Sequence, residues 1–154
     1  MQRKSERSPR MKIYLAGPLF TPTEREFVES IADGLSTACS VYVPHRDGLL
    51  VAEQLAMGLS RSEVYRAVYL RDIDEIHKCD VLLAILDGRT PDEGVCIEIG
   101  YAKALGKHIV AIKTDIRTAL PWGNNPMIDG CIDQWAQTPN ELWELMRSYS
   151  AESV

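Results

Sequence analysis

The sequence predicts an α/β protein with a mostly parallel sheet, because segments of two kinds alternate along it. Apolar runs with the length and composition of strands occur at 12–16, 41–43, 81–86 and 109–112. Segments with helical spacing of apolar residues occur at 22–38, 62–79, 94–105 and 139–149. Such alternation is typical of parallel strands joined by right-handed crossovers, and 154 residues suffice for one domain of this kind.

The first predicted strand ends at Gly17, and a helix follows it. Thr21 and Glu24 have the spacing of a capping box, with Pro22 at the first helical position. Apolar residues of this helix recur three or four positions apart, at Phe27, Val28, Ile31, Leu35 and Ala38. We therefore expect one apolar face that extends as far as Ala38.

The middle of the chain has a less regular pattern. Pro44 ends the short strand at 41–43, and 45–60 is the segment with the weakest pattern, with a short helix predicted at 50–57. The helix predicted at 62–79 places four residues on one face: Tyr65, Tyr69, Asp72 and Ile76. The following run, 81–86, is apolar throughout, as expected for a strand covered on both faces.

The second half repeats the pattern. Gly106 ends the helix predicted at 94–105, and the strand at 109–112 follows it. A second capping box with proline, Thr138 to Glu141, opens the last helix. The residues of that helix expected to face inward are Leu142, Leu145, Met146 and Tyr149.

Charge and hydropathy exclude several classes of protein. The net charge is −5, and the first ten residues carry +3, so the remaining 144 carry −8. An acidic domain argues against binding of nucleic acid or of an anionic membrane. We interpret residues 1–10 as a disordered leader or a vector-derived remnant, and 11–154 as a single domain. No apolar run is long enough to span a membrane, and the N-terminal segment lacks the apolar stretch of a secretory signal.

The four cysteines, Cys39, Cys79, Cys96 and Cys131, form no CxxC pair, and each lies in an apolar stretch. We expect reduced, mostly buried thiols and a cytoplasmic protein. Zinc requires His or Cys ligands at short spacing, and the three histidines do not supply it. No metal site is therefore expected.

Three carboxylates flank the predicted strand 81–86. Asp72 lies on the helix before it, Asp92 in the loop after it, and Glu98 near the start of the next helix. The positive end of a helix favours the ionised form of a nearby carboxylate. One ionised carboxylate and one that retains a proton are the groups required for retaining glycosyl transfer through a covalent intermediate.

Structural explanations of the same residues are also open. Asp92 and the glycine two residues later are common in turns, and Glu98 is also explained as a charge that interacts with a helix dipole. Tyr14, Tyr65 and Tyr69 are more often packing residues than site residues.

Five segments together carry a resemblance to a known family. They are IYLAGPLF at 13–20, DIDEI at 72–76, CDVLLAILDG at 79–88, DEGVCIEIGYA at 92–102 and NNPMI at 124–128. In order and spacing, from about residue 12 to about residue 146, they resemble the nucleoside 2-deoxyribosyltransferase family. The segment 92–102 is the most diagnostic of them.

The resemblance implies a flavodoxin-like three-layer sandwich with a central, mostly parallel, five-stranded sheet. It implies exchange of the base of a 2′-deoxyribonucleoside, with nucleosides and nucleobases as the small-molecule partners and no cofactor. Glu98 corresponds to the family's nucleophile, Asp72 and Asp92 to acids that bind and protonate the base, and Tyr14 to a residue that orients the nucleophile. The implied substrate-binding residues are Gly17, Phe20, Gly94, Asn125 and Met127.

The resemblance also implies that sites are completed across subunits. Asn125 and Met127 correspond to a loop that a neighbouring subunit inserts, with the asparagine near the 5′-hydroxyl. We therefore expect a homodimer or an assembly of dimers. In one respect the sequence departs from the family, because many members have Thr or Ser where this chain has Val95.

Two other functions remain open from the sequence. Some relatives hydrolyse nucleoside 5′-monophosphates, and Arg46, Arg66 and Arg89 are candidate phosphate ligands, although Asn125 favours nucleosides. A non-catalytic nucleotide sensor is the second alternative, and the joint presence of Tyr14 and the three carboxylates argues against it. A Rossmann oxidoreductase is excluded, because the glycine after the first strand does not continue into GxGxxG.

Overall fold

The computed structural model describes residues 10–152 of the chain. These residues form a central five-stranded sheet between two layers of helices. The strands are β1 (Lys12–Ala16), β2 (Ser40–Tyr42), β3 (Val81–Ile85), β4 (His108–Ile112) and β5 (Gln134–Ala136). The helices are α1 (Pro22–Leu35), α2 (Pro44–Asp47), α3 (Val51–Ala56), α4 (Arg61–Lys78), α5 (Glu93–Ala104), α6 (Pro126–Asp129) and α7 (Pro139–Glu152).

The strand order is β2-β1-β3-β4-β5, and each of the four pairings is parallel. This is the flavodoxin-like order, so the predicted fold class is confirmed. The chain passes from β1 to β2 on one side of it, and from β2 it crosses to β3 on the other side of β1. The resulting crevice between β1 and β3, at the carboxyl ends of the strands, is where open α/β sheets bind ligands.

Successive side chains of each strand point to opposite faces of the sheet, and this divides the core into two layers. Ile13 and Leu15 of β1 pack with α1 and α7, whereas Tyr14 and Ala16 pack with α4 and α5. Each residue of β3 is buried, as the apolar run predicted, because helices cover both faces of this strand. Tyr14 therefore points into the layer that also contains the start of α5.

The predicted capping box of α1 is present, since the Thr21 side chain accepts from Glu24 N and Glu24 caps Thr21 in return. The prediction that the apolar face reaches Ala38 is wrong. The helix ends at Leu35, and Cys39 enters the core while Ala38 is exposed. The backbone N–H of Cys39 donates to the Leu35 carbonyl, so a tight turn leads directly into β2.

Several short elements lie where no element was predicted. The fifth strand, β5, has only three residues, and α2 and α6 have four each. The predicted helix at 50–57 is α3, one residue shorter at each end. Of the predicted leader, residues 1–9 lie outside the described residues, and the Arg10 guanidinium donates to the Thr37 carbonyl at 2.9 Å.

Two of the four cysteines, Cys39 and Cys79, are buried, and Cys96 and Cys131 are half-buried. No disulfide joins them within residues 10–152. None of the helices within residues 10–152 combines the length and the apolar character needed to cross a bilayer.

Gly34 and Gly100 provide a test of this packing. A Cβ at Gly34 would lie 2.6 Å from the Trp143 ring, whereas a Cβ at Gly100 would meet nothing within 4 Å. We expect Gly34→Ala to lower the free energy of unfolding by about 1–3 kcal/mol, because the ring must shift. Gly100→Ala should raise it by about 0.5–1 kcal/mol through helix propensity. Urea denaturation measures both, and equal stabilities of the two variants would contradict the Trp143–Gly34 contact.

Candidate active site

A hydrogen bond between Tyr14 and Glu98 lies at the centre of the candidate site. The Tyr14 hydroxyl donates to Oε1 of Glu98 at 2.6 Å. Tyr14 is fully buried in β1, and Glu98 is half-buried on the second turn of α5. The bond therefore joins the two elements on either side of the crevice, β1 and the helix that follows β3.

The surroundings of Glu98 favour its neutral form. Burial raises the pKa of Glu98 to about 7, and the nearby charges of Asp72 and Asp92 act in the same direction. The hydrogen bond from Tyr14 opposes them, because it stabilises the ionised carboxylate. A carboxyl group that titrates near neutral pH is typical of a catalytic position.

This result corrects one expectation from the sequence. The helix N-terminus was expected to favour an ionised carboxylate, but Glu98 is the sixth residue of α5. The influence of a helix dipole fades within the first turn, so burial dominates at this position. The buried Tyr14 hydroxyl is affected in the same direction, since burial and then the Glu98 charge raise its pKa.

Asp72 is half-buried on α4 and forms the second carboxylate of the site. The Tyr42 hydroxyl lies 3.4 Å from its Oδ1. Burial raises the pKa of Asp72 to about 6, while the bond from Tyr42 and the charge of Arg71 oppose this rise. Asp72 and Glu98 thus both titrate close to neutral pH.

Tyr42 is a site residue that the sequence did not identify. It pairs in register with Tyr14 on the neighbouring strand, and the two rings stack with centroids 5.5 Å apart and planes 27° apart. The sequence does place Tyr42 at the carboxyl end of a predicted strand, where site residues are common. It does not show that this strand pairs with β1, because strand order cannot be read from the sequence.

Asp92 is the N-cap of α5, and its Oδ1 accepts from the backbone N–H of Val95 at 3.1 Å. Asp92 therefore has a structural role in capping a helix, as the structural explanation of this residue proposed. Its charge nevertheless acts on Glu98, and a Cβ at Gly94 would lie 3.1 Å from the same Oδ1. Val95, where many family members have a hydroxyl, is buried in the α4–α5 layer.

The loop after β1 contains two of the predicted substrate-binding residues. Gly17 is buried, and a Cβ there would lie 3.1 Å from Val28 and 3.2 Å from Ile85. This close approach brings the loop down onto β3. Phe20 is 76% exposed in the same loop, so its ring is available to a ligand.

Two further predicted substrate-binding residues, Asn125 and Met127, lie at the start of α6. Asn125 caps this helix, and its side-chain oxygen accepts from Met127 N at 2.9 Å. Met127 is 78% exposed, and Asn125 is exposed as well. Both side chains thus face away from the core of their own chain.

The candidate phosphate ligands differ in availability. Arg46 is paired with Glu29 at 3.0 Å and Asp47 at 3.1 Å, and it also donates to a carbonyl of β2. Arg66 and Arg89 are exposed. No group of three or more His, Cys, Asp or Glu within residues 10–152 is placed to hold a metal ion.

Comparison with known proteins establishes the class to which this fold and site belong. The family model described as nucleoside 2-deoxyribosyltransferase matches residues 13–143. The chain belongs to this family, as the sequence predicted. A nucleoside deoxyribosyltransferase of Limosilactobacillus fermentum is 26% identical over 137 residues, which are 85% of this chain and 81% of that one.

Solved structures share the fold. A 2-deoxyribosyltransferase from Bacillus psychrosaccharolyticus superposes with a TM-score of 0.72 at 22% identity, over 86% of this chain and 90% of that one. A CMP N-glycosidase from Clostridium botulinum superposes with a TM-score of 0.54 at 20% identity, over 88% of this chain and 98% of that one. The fold is thus found both in a transferase and in a glycosidase.

The raised pKa of Glu98 predicts a pH dependence of stability. Because its pKa of about 7 lies above its ordinary 4.5, the folded state binds more protons than the unfolded state in this window. The free energy of unfolding therefore falls as pH rises from about 4.5 to 7. We expect Glu98→Gln to be about 1–3 kcal/mol more stable than wild type at pH 8, with the difference vanishing towards pH 4.

Urea denaturation across pH 4–8 measures this difference. Glu144→Gln, at an exposed position of α7, is the matched control and should follow wild type at each pH. A Glu98→Gln variant with the pH profile of wild type would contradict a carboxyl group that titrates near 7.

Proposed function

We propose that this protein transfers 2-deoxyribose between nucleobases through a covalent glycosyl-glutamate intermediate. The observation that carries the proposal is the 2.6 Å bond from the Tyr14 hydroxyl to Glu98. This bond directs one carboxylate oxygen and leaves the other for attack. Its position in the β1–β3 crevice coincides with the ligand position of the fold, and membership of the family supports the same chemistry.

In the first half-reaction, a carboxylate oxygen of Glu98 attacks C1′ of the nucleoside. The bond from C1′ to the base nitrogen breaks, and its electron pair leaves with the base. Asp92 or Asp72 donates the proton that neutralises this nitrogen. The transition state resembles an oxocarbenium ion, and the product is a deoxyribosyl ester of Glu98.

In the second half-reaction, a nitrogen of the incoming base attacks C1′ from the opposite face to Glu98. The ester bond breaks, its electron pair returns to the carboxylate, and the incoming base loses a proton to the acid residue. Two inversions at C1′ retain the configuration. A missing 2′-hydroxyl makes the oxocarbenium ion easier to form, which favours deoxyribosides.

Burial gives the site two carboxyl groups that titrate near neutral pH. Asp72 has a pKa of about 6 and Glu98 a pKa of about 7, so Glu98 is the last of the two to ionise. Glu98 must be ionised to attack, and Tyr14 stabilises that form. An acid that holds a proton near pH 6–7 can protonate the departing base.

Contacts in the loop after β1 support nucleosides over 5′-monophosphates as substrates. The N-terminus of a helix is a natural phosphate site, but at α1 the Glu24 carboxylate occupies the donors. Its Oε2 accepts from the backbone N–H of Phe20 at 3.0 Å and of Thr21 at 2.8 Å. Arg46 is engaged in ion pairs. Hydrolysis of 5′-monophosphates is therefore the second candidate function.

Chromatography of two reactions tests the proposal. One contains 2′-deoxyinosine with free adenine or cytosine, and the other contains dCMP or dGMP alone. We expect a new deoxynucleoside in the first and no free base in the second. Glu98→Ala should lose base exchange by several orders of magnitude, on the order of 5 kcal/mol or more in activation free energy, with an unchanged fold.

The other outcomes identify the alternatives. Free base with a sugar phosphate from the monophosphate alone would establish the glycosidase. Tight nucleoside binding with no base release over hours would establish a sensor. A Glu98→Ala variant that exchanges bases at the wild-type rate would refute the mechanism.

We also propose that a neighbouring subunit completes each site, in a homodimer or an assembly of dimers. Asn125 and Met127 face away from the core of their own chain, so they are available to a second copy. We propose a cytoplasmic location as well, where cysteines such as Cys96 and Cys131 stay reduced.

Subunit complementation tests the shared site. Neither Glu98→Ala nor the double variant Asn125→Ala/Met127→Ala should exchange bases alone, but their mixture should. If the subunits reassort at random into dimers, roughly one quarter of wild-type turnover returns. A mixture of Glu98→Ala and Asp72→Asn is the control and should show no gain over the two variants assayed separately, because both residues belong to the same side of the site. A fully active Asn125→Ala/Met127→Ala variant would contradict a shared site.

A further inference from the structure

Two tyrosine–carboxylate pairs lie side by side in the crevice, and the proposed mechanism uses only one tyrosine. Tyr14 donates to Glu98 at 2.6 Å, and the Tyr42 hydroxyl lies 3.4 Å from Oδ1 of Asp72. The stacked rings of the two tyrosines connect the pairs. A displacement of Tyr42 therefore affects the carboxylate it faces and the tyrosine it packs on.

The backbone is shaped to admit the Tyr42 hydroxyl. A Cβ at Gly48, which follows α2, would lie 2.7 Å from this hydroxyl oxygen and 2.4 Å from the Pro44 carbonyl oxygen. Any larger residue would collide with the phenol oxygen and with the backbone of the turn. On the other side, the Arg71 guanidinium lies 5.9 Å from the centroid of the Tyr42 ring. The ring is thus held between Tyr14, the turn at Gly48 and Arg71.

We propose that Tyr42 is a positioning residue of the site: its ring packs on Tyr14 while its hydroxyl orients the Asp72 carboxylate towards the leaving base. This role rests on the proposed function, but the contacts themselves do not depend on it. At 3.4 Å the bond is long for an O–H···O contact, and such bonds often shorten when the substrate binds.

Several charged and titratable groups interact with Asp72. Tyr42 of β2 and Arg71 and Glu75 of α4 act on its ionisation, and the charge of Asp72 in turn acts on Tyr14 of β1 and Glu98 of α5. Burial raises the pKa of Asp72 and Glu75 adds to the rise, whereas the Tyr42 hydroxyl and Arg71 lower it. Removal of the hydroxyl alone must therefore move the titration of Asp72 to higher pH.

The first test is Tyr42→Phe, which keeps the ring and its stack on Tyr14 but removes the hydroxyl. NMR titration of the carboxyl carbons, with Asp72→Asn for assignment, requires no substrate. We expect the midpoint of Asp72 to rise by about 0.5–1 pH unit. Tyr101→Phe is the matched control, because its hydroxyl bonds to His77 at 2.7 Å outside the site, and it should leave this midpoint unchanged.

The second test is the rate of base exchange. We expect Tyr42→Phe to lower kcat about three- to tenfold with little change in KM, and to move the pH profile with Asp72. In an Asp72→Asn background the same substitution should have no further effect, because Tyr42 acts through Asp72.

Three results would overturn the proposal. They are an unshifted Asp72 midpoint in folded Tyr42→Phe, a wild-type kcat, or an undiminished effect in the Asp72→Asn background. Failure of the proposed function gives a different pattern, in which wild type exchanges no bases while the Asp72 titration still responds to Tyr42→Phe.

Discussion

The site depends on one constraint, the burial of a carboxylate beside a phenol and other carboxylates. Glu98 is placed where water solvates it poorly, and the Tyr14 hydroxyl is the donor that compensates for part of that loss. Without the phenol, burial and the neighbouring negative charges would favour the neutral acid further. Ionisation of Glu98 near neutral pH therefore depends on the fully buried tyrosine.

The fold provides this arrangement through strand alternation and strand order. Tyr14 faces the α4–α5 layer because its neighbours Ile13 and Leu15 face the other one. The change of direction at β1 then opens the crevice in which α5 begins. A shift of one residue in β1 would turn Tyr14 away from Glu98, so the packing of both core layers also determines whether this hydrogen bond forms.

The sequence predicted the features that depend on local pattern. The carboxylates around the apolar run of β3, the four longer helices and four of the strands are among them. Strand β5 was missed because it has three residues, one of which, Trp135, is 39% exposed at the sheet edge. Tyr42 was missed because its stack on Tyr14 requires the pairing of β2 with β1. The effect of burial on Glu98 likewise depends on tertiary packing, which outweighed the helix dipole.

The two carboxyl groups each face a tyrosine hydroxyl, and the two contacts differ in length. The charge of Asp72 adds to the effect of burial on Glu98, so Glu98 keeps its proton to higher pH than Asp72, about 7 against about 6. For Glu98 to act as the proposed nucleophile, it must lose that proton. Tyr14 stabilises the negative charge on Glu98 through the shorter bond, 2.6 Å against 3.4 Å at Asp72. This shorter bond lowers the cost of ionising Glu98, while burial still keeps its pKa above that of Asp72.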